Sequence, residues 1–307
     1  MSAVLGAVAA LLLTTGTGPA SASPAPLYDD IPGGSVGNVP SLGYEATSTS
    51  EFGGQIQLAG TQRTGLQLTV LMSSWGCESG TWNGADCSTT PGSTFSEPIT
   101  MNVYDVNDDN SVGSLVTSIT QTFEIPYRPS ASAIAMCDDG NPPNGRWSDG
   151  TACYNGLATP ITFDATGAGV TWPDKVIVSL AYNTTHYGAS PYGEGTACYT
   201  SDGGCGYDSL NVGLVGDAPT AGSQPTPDDA YLNSTSGDAY CDSGTGGTGT
   251  FRYDAGCWTG FQPAFEVTPA GVRPTTADDC KRGGWMQFND PVFKNQGDCV
   301  SYTRHLG

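Results

Sequence analysis

The side chains best suited to chemistry crowd one stretch of this chain, Lys175 to Val215. His186 is the one imidazole of the main body, the other, His305, standing beside the C-terminus. Around His186 lie Tyr187, Tyr192, Tyr199 and Tyr207, the carboxylates Glu194 and Asp208, and a small Cys198/Cys205 loop. Flat aromatic rings cover the apolar faces of sugars while nearby polar groups hold the hydroxyls, so the tyrosines and His186 are candidate ligand-binding residues. Trp75 and Trp82, within or beside another cysteine couple, are candidates of the same kind, with Trp147 and Trp258 in similar positions. A pair of carboxylates would serve glycoside hydrolysis, and Glu194 and Asp208, with His186, are the first to inspect for that role. Each has a plainer reading. Rings beside a disulfide pack on it as a miniature core, and a loop imidazole hydrogen-bonds within its loop.

Other motifs are weaker. Asp105, Asn107 and Asp109 occupy the first three ligand positions of a calcium loop, but Asn110 stands where glycine is needed and Val116 where the bidentate glutamate belongs. An acidic, Asn-rich hairpin turn explains the same residues. Gly33-Gly34-Ser35-Val36-Gly37 spells a nucleophile elbow without the buried strand before it or the helix after it. The glycine run 244–249 lacks the Gly-Lys-Ser/Thr ending of a phosphate loop. No His-Glu-x-x-His and no credible triad motif is present, so no cofactor is expected beyond calcium at the 105–109 turn.

The elements that position these residues read as strands. Val176–Tyr182 and Ser209–Val215 flank the tyrosine-rich loop, and 54–59, 66–72, 99–106, 115–123, 161–164 and 261–267 alternate or run apolar in the same way. Helix formers are scarce, while Gly (43) and Pro (21) are abundant and dispersed. The expectation is an all-β fold, a jelly-roll-like β-sandwich with disulfide-pinned loops. Residues 23–40 read as an extended lead-in, 41–270 as the sandwich, and 271–307 as a small segment stapled by its own disulfide, with Trp285, Phe288 and Phe293 packed on it.

Ten cysteines fall into five successive couples. They are Cys77 with Cys87, Cys137 with Cys153, Cys198 with Cys205, Cys241 with Cys257, and Cys280 with Cys299. Loop-closure entropy favours near neighbours, so each couple is expected to form a disulfide that closes its own loop. Met1–Ala22, with an apolar core and an Ala20-Ser21-Ala22 ending, reads as a secretory signal lacking the usual basic start. The apolar run is shorter than the ~20 residues of a membrane-spanning helix, so no membrane insertion is expected. A secreted, extracellular protein suits the even cysteine count. Acidic side chains outnumber basic ones 26 to 5 over residues 23–270, against 4 to 5 over 271–307, which disfavours nucleic acid as a partner.

Two resemblances accompany this reading. The Cys280-Lys281-Arg282-Gly283-Gly284-Trp285 run, followed by Phe293-Lys294-Asn295-Gln296-Gly297-Asp298-Cys299-Val300-Ser301-Tyr302, resembles a C-terminal segment of exported proteins from high-GC Gram-positive bacteria, one without an assigned activity. The body, through Asn38–Ala46, Ser118–Phe123 and Ala181–Gly188, resembles secreted proteins of unknown function from the same bacteria. Its strand pattern is similar to jelly-roll sandwiches of the carbohydrate-binding kind. These features together favour a secreted, non-enzymatic binding module for a polysaccharide or cell-surface component. The alternatives are a structural or adhesive extracellular protein without a small ligand, and a carboxylate-dependent glycan-active enzyme.

Overall fold

The computed structural model describes residues 25–33, 37–80, 82, 85–133, 137, 145–183, 210–271, 273–288 and 293–305. It is an all-β sandwich, and the alternation in the sequence explains which face of each strand turns inward. In β4 (Leu66–Ser74), Leu66, Leu68, Val70 and Met72 are buried on one face, with Gln67 and Thr69 on the other, the two-residue period of a pleated strand. β10 (Lys175–Ala181) sends Val176, Val178 and Leu180 into the same core.

Along the chain the remaining strands are β1 (Tyr28–Asp29), β2 (Ser41–Leu42), β3 (Thr49–Gln57), β5 (Thr94–Val106) and β6 (Val112–Pro126). They continue with β7 (Trp147–Ser148), β8 (Cys153–Tyr154), β9 (Leu157–Asp164), β11 (Leu210–Val215) and β12 (Ala230–Ser234). The last are β13 (Arg252–Asp254), β14 (Gln262–Pro263) and β15 (Phe265–Pro269). One sheet has the order β1-β15-β4-β11-β14, with β2 on β11 and β9 on β4; the facing sheet runs β13-β12-β3-β10-β5-β6. Every strand pairing is antiparallel, and β7 and β8 form a separate ribbon. Pro98 lies within β5, where β10 no longer pairs: the β10 register covers only Thr100–Tyr104.

The two strands flanking the tyrosine-rich loop belong to opposite sheets, β10 to one and β11 to the other. Their facing ends are tied directly. Tyr182 stacks on Tyr44 at 4.1 Å and donates its hydroxyl to the Leu210 carbonyl at 2.9 Å. The Tyr44 hydroxyl donates to the Leu180 carbonyl at 2.8 Å.

Three differences from the sequence expectation stand out. β1 lies inside the stretch read as a lead-in, because Tyr28 and Asp29 pair with Val267 and Glu266; the compact body spans Ala25–Ala270. β13 lies inside the Cys241/Cys257 loop and β12 in a stretch where no strand is expected, their short runs masked by neighbouring Ser, Thr and Gly. The C-terminal unit also contains a helix, α1 (Gln296–Thr303), whose N-cap Asn295 accepts the Asp298 backbone N–H. In that unit Cys280, Cys299 and Phe293 are buried together, with Trp285, Phe288, Val300 and Tyr302 packed around them.

Four of the five expected disulfides lie among the described residues, and all four form. They are Cys77–Cys87, Cys137–Cys153, Cys241–Cys257 and Cys280–Cys299, with Cα atoms 5.4–5.9 Å apart. Cys77, Cys87 and Cys137 are buried, so these bridges act as small pieces of interior rather than as exposed thiol chemistry. Cys198 and Cys205 lie outside the described residues.

β1 is fastened by a buried carboxylate. Asp30 accepts the Tyr28 hydroxyl (2.7 Å), the Gln224 amide (2.8 Å) and the Phe265 backbone N–H (2.6 Å). Burial outweighs these donors and pushes its carboxyl up to about 7. Folding therefore takes up a proton that the unfolded chain, at an ordinary value of about 4, has released. The associated stabilisation is complete below about pH 4 and is lost as pH rises through about 7. Glu45, also pushed up to about 7 by burial, acts with the same sign. In Asp30→Asn, the decline of melting temperature between about pH 4 and 7 is expected to become shallower, which thermal melts across that range will show.

Candidate functional site

Tyr187, Tyr192, Tyr199, Tyr207, His186, Glu194 and Asp208 all lie outside the described residues. Among the candidate tryptophans, Trp147 and Trp258 are buried. Trp75 and Trp82 are half-buried and meet edge-to-face at 4.8 Å, with the Trp75 indole N–H donated to the Ser73 hydroxyl at 3.0 Å. Ser73 in turn donates to the Asn38 side-chain carbonyl at 2.6 Å. The Cys77–Cys87 bridge closes the loop that carries Trp82. Trp147 is buried, donates to the Gly156 carbonyl at 2.7 Å and lies 4.9 Å from the Tyr154 ring, inside the loop that Cys137–Cys153 closes. A Cβ at Gly37 would sit 2.3 Å from that tyrosine ring, and one at Gly156 would sit 2.5 Å from the Trp75 nitrogen, so both glycines permit the close packing. Buried Arg128 joins this region, donating to the carbonyls of Trp82 (3.2 Å) and Gly145. Its guanidinium is lowered to about 10 by burial.

The proposed calcium ligands serve their own hairpin. Asp109 accepts the Ser111 N–H (3.0 Å) and hydroxyl (2.6 Å), Asn107 donates to Ser111 (2.9 Å) and to the Val112 carbonyl (3.1 Å), and Asp105 accepts from Ser114 (2.6 Å). Asn110 takes the left-handed conformation, φ 64°, that a tight turn requires, and its carbonyl accepts the Tyr231 hydroxyl at 2.7 Å. Among the described residues no group of three His, Cys, Asp or Glu side chains is placed to hold a metal ion.

Beneath this hairpin the outer face of the six-stranded sheet carries a buried carboxylate. Glu51 Oε1 accepts from Asn102 (2.9 Å), Tyr104 (3.0 Å) and Ser179 (2.6 Å), and Ser118 donates to the Asn102 side-chain carbonyl at 2.7 Å. Four strands, β3, β5, β10 and β6, thus converge on one network. Desolvation, and secondarily the Glu51 charge, raises the Tyr104 hydroxyl above its ordinary value.

A concave feature of the body lies elsewhere. A cleft of about 280 Å³ opens between β2, the end of β11 and the Cys241–Cys257 loop. Leu42, Leu214, Ala239, Tyr240, Trp258 and Phe261 form its apolar walls, with Ser41, Asp238 and the disulfide completing them. Each buried ring is held by its polar end. The Trp258 indole donates to Asp254 Oδ2 at 2.8 Å, and the Cys241 N–H donates to the same oxygen at 2.8 Å. The Tyr240 hydroxyl accepts the Ser234 N–H at 2.8 Å, while the Arg252 guanidinium lies 4.0 Å above the Tyr240 ring. Arg252 also binds both oxygens of Asp242, at 2.9 and 3.2 Å. Phe261 is different: it is 47% exposed, while Asp238 on the cleft lining is exposed too. At Gly216 a Cβ would lie 2.9 Å from the Gly260 Cα, so glycine is what lets the two bordering loops touch.

Chemically this is a small apolar recess with a free aromatic face, one hydroxyl and one carboxylate, positioned by a rigid disulfide-closed loop. Trp258 was visible in the sequence only as one of several tryptophans near cysteines. Phe261 and Asp238 carried no signal, because their neighbours across the cleft are some 200 residues away at Ser41 and Leu42. Comparison with protein-family models, with curated proteins and with solved structures finds no match for the chain.

Two outcomes follow from these contacts. Trp258→Phe keeps the ring but strips Asp254 of a donor, and is expected to cost about 1–3 kcal/mol in denaturant unfolding. Asp109→Ala is expected to lower the melting temperature by the same small amount in calcium and in chelator, since its carboxylate holds the turn itself.

Proposed function

We propose that this chain is a secreted, non-enzymatic binding module for a glycan of a polysaccharide or cell surface, and that the cleft bounded by Phe261 and Asp238 is where it binds. The observation that carries this reading is an exposed aromatic face beside a carboxylate and a hydroxyl, on walls whose other rings are locked by hydrogen bonds. A sugar ring has that same division. Its axial C–H face stacks on an aromatic ring, and its hydroxyls donate to a carboxylate such as Asp238 and exchange hydrogen bonds with Ser41. The volume, just below the about 300–1,000 Å³ of drug-sized sites, suits one sugar unit of a longer chain entering from the surface. Pre-set rings keep the ordering cost of binding low. The four disulfides among the described residues favour an oxidising compartment, in keeping with export.

The test is retention on insoluble polysaccharides together with a glycan array, using the full chain. Phe261→Ala and Asp238→Asn are each expected to weaken retention about tenfold or more, corresponding to roughly 1.4 kcal/mol, without changing the melting temperature. Retention on no glycan, or retention indifferent to both changes, removes the cleft from consideration. Turnover of a chromogenic glycoside would overturn the non-enzymatic reading.

A further inference from the structure

An ionised carboxylate only accepts hydrogen bonds, so what it can bind depends on whether its lone pairs are already taken. Residues 228–262, which supply most of the cleft lining, hold five aspartates and one arginine. Four of the aspartates are committed within the body. Asp228 accepts the Thr259 hydroxyl, and Asp229 accepts the Tyr253 hydroxyl (2.5 Å) and the Gly256 N–H (2.7 Å). Asp242 holds Arg252, and Asp254 receives Trp258 and Cys241. Asp238, on the short 3-10 turn Gly237–Ala239, is the exception. It is exposed, lines the cleft, and takes part in no hydrogen bond or ion pair among the described residues. The segment's single cation is taken as well, since Arg252 binds both Asp242 oxygens and lies over Tyr240. Among the described residues that line the cleft there is no Lys, Arg or His.

The rings strengthen this bias. An aromatic face carries negative potential and attracts cations, that of tryptophan most of all. Tyr240, Trp258 and Phe261 all stand on the lining. The Trp258 indole N–H is given to the buried carboxylate of Asp254, which leaves the ring richer in electrons. A guanidinium already occupies such a position over Tyr240, 4.0 Å from its centroid. Around the cleft, the excess of 26 acidic over 5 basic residues in 23–270 draws cations in and turns anions away.

We infer that the sugar selected by this cleft is positively charged: a hexosamine unit with a free ammonium group, its nitrogen against Asp238 and its C–H face on Phe261. The inference rests on the cleft being a glycan site and deepens that reading by naming the class of sugar. A primary ammonium brings three donors, and its bond to a carboxylate is charge-assisted, about twice as strong as that of a neutral hydroxyl. An N-acetylated amino sugar brings one neutral N–H instead. A uronic acid brings a second negative charge to a lining without a basic side chain.

Calorimetric titration of the full chain with oligomers of one length tests the charge class. The probes are oligomers of glucosamine, N-acetylglucosamine, glucose and galacturonic acid, in a mildly acidic buffer that keeps the amine protonated. The glucosamine oligomer is expected to bind about tenfold more tightly than the glucose oligomer, with the uronic acid weakest, and its advantage is expected to shrink as salt is raised. Asp238→Asn is expected to remove most of that advantage, whereas Phe261→Ala weakens the glucosamine and glucose oligomers together, about tenfold. A neutral or N-acetylated oligomer that binds at least as tightly as glucosamine, and loses affinity in Phe261→Ala, overturns the inference and leaves the glycan cleft standing. Glucosamine binding that neither substitution weakens belongs to the acidic surface at large and overturns it too. Binding of none of the oligomers also overturns it, and the glycan array then decides separately whether the cleft takes a glycan at all. The ranking of oligomers on the unaltered chain decides the charge class even if either variant folds poorly.

Discussion

One apolar layer, shared by two antiparallel sheets, sets the terms for the rest of the body. Phe52 and Ile56 of β3, Leu68, Val70 and Met72 of β4, and Val176, Val178 and Leu180 of β10 all turn into it. Since strand side chains alternate, every such choice sends the intervening residue to the opposite face. In β3 the intervening residues are Glu51, Gly53, Gln55 and Gln57, and in β10 they are Ile177 and Ser179. A slip of one residue would place Glu51 in the core and Phe52 outside, which the register of β3 with β10 forbids along seven consecutive pairs. Once register is fixed, the buried polar groups outside the core must find partners, and Glu51 finds three donors, Ser179 on the adjacent β10 and Asn102 and Tyr104 on β5 beyond it.

At the ends of the sandwich the problem is different, because long connections hold few apolar residues. Each described disulfide closes a loop of 10–19 positions, worth about 3 kcal/mol in chain-entropy terms. A covalent link fixes two points of a loop and leaves its interior free to choose a conformation. Directed polar contacts supply the rest: Arg128 on two loop carbonyls, Arg252 clamped on Asp242, and Asp254 receiving both Trp258 and Cys241. The cleft exists because this second kind of fastening holds Tyr240 and Trp258 back along its walls.

This division also explains what could be read in the sequence. The alternation of β4 and β10 and couples such as Cys77 with Cys87 are properties of short windows, so they were legible. Sheet membership was not, since Val176–Tyr182 and Ser209–Val215 look alike and yet belong to different sheets. β12 and β13 are too short for periodicity to rise above the Ser, Thr and Gly around them. The tail helix did carry a local signal, Asn295 three residues before Asp298, which two glycines in 283–284 and another at 297 obscured. The raised carboxyls of Asp30 and Glu45 depend on burial by distant segments, as does the cleft, whose lining comes from four separate regions of the chain.

The acidity of the chain takes on a structural meaning in the same light. Asp109, Asp149, Asp242 and Asp279 each accept backbone N–H groups a few residues along the chain or just before them. Together with nearby side-chain donors, those bonds hold all four carboxyls below their usual range, and Asp149 lies at about 2. Part of the negative charge is thus a by-product of aspartate shaping turns in a glycine-rich chain. Carboxylates committed to turns repel other acidic molecules while offering fewer free lone pairs to a cation. Leu115 on β6, within the uncharged run Val112–Phe123, and Phe261, beside Asp238 on the cleft, are where large hydrophobic side chains of the body stay in contact with solvent.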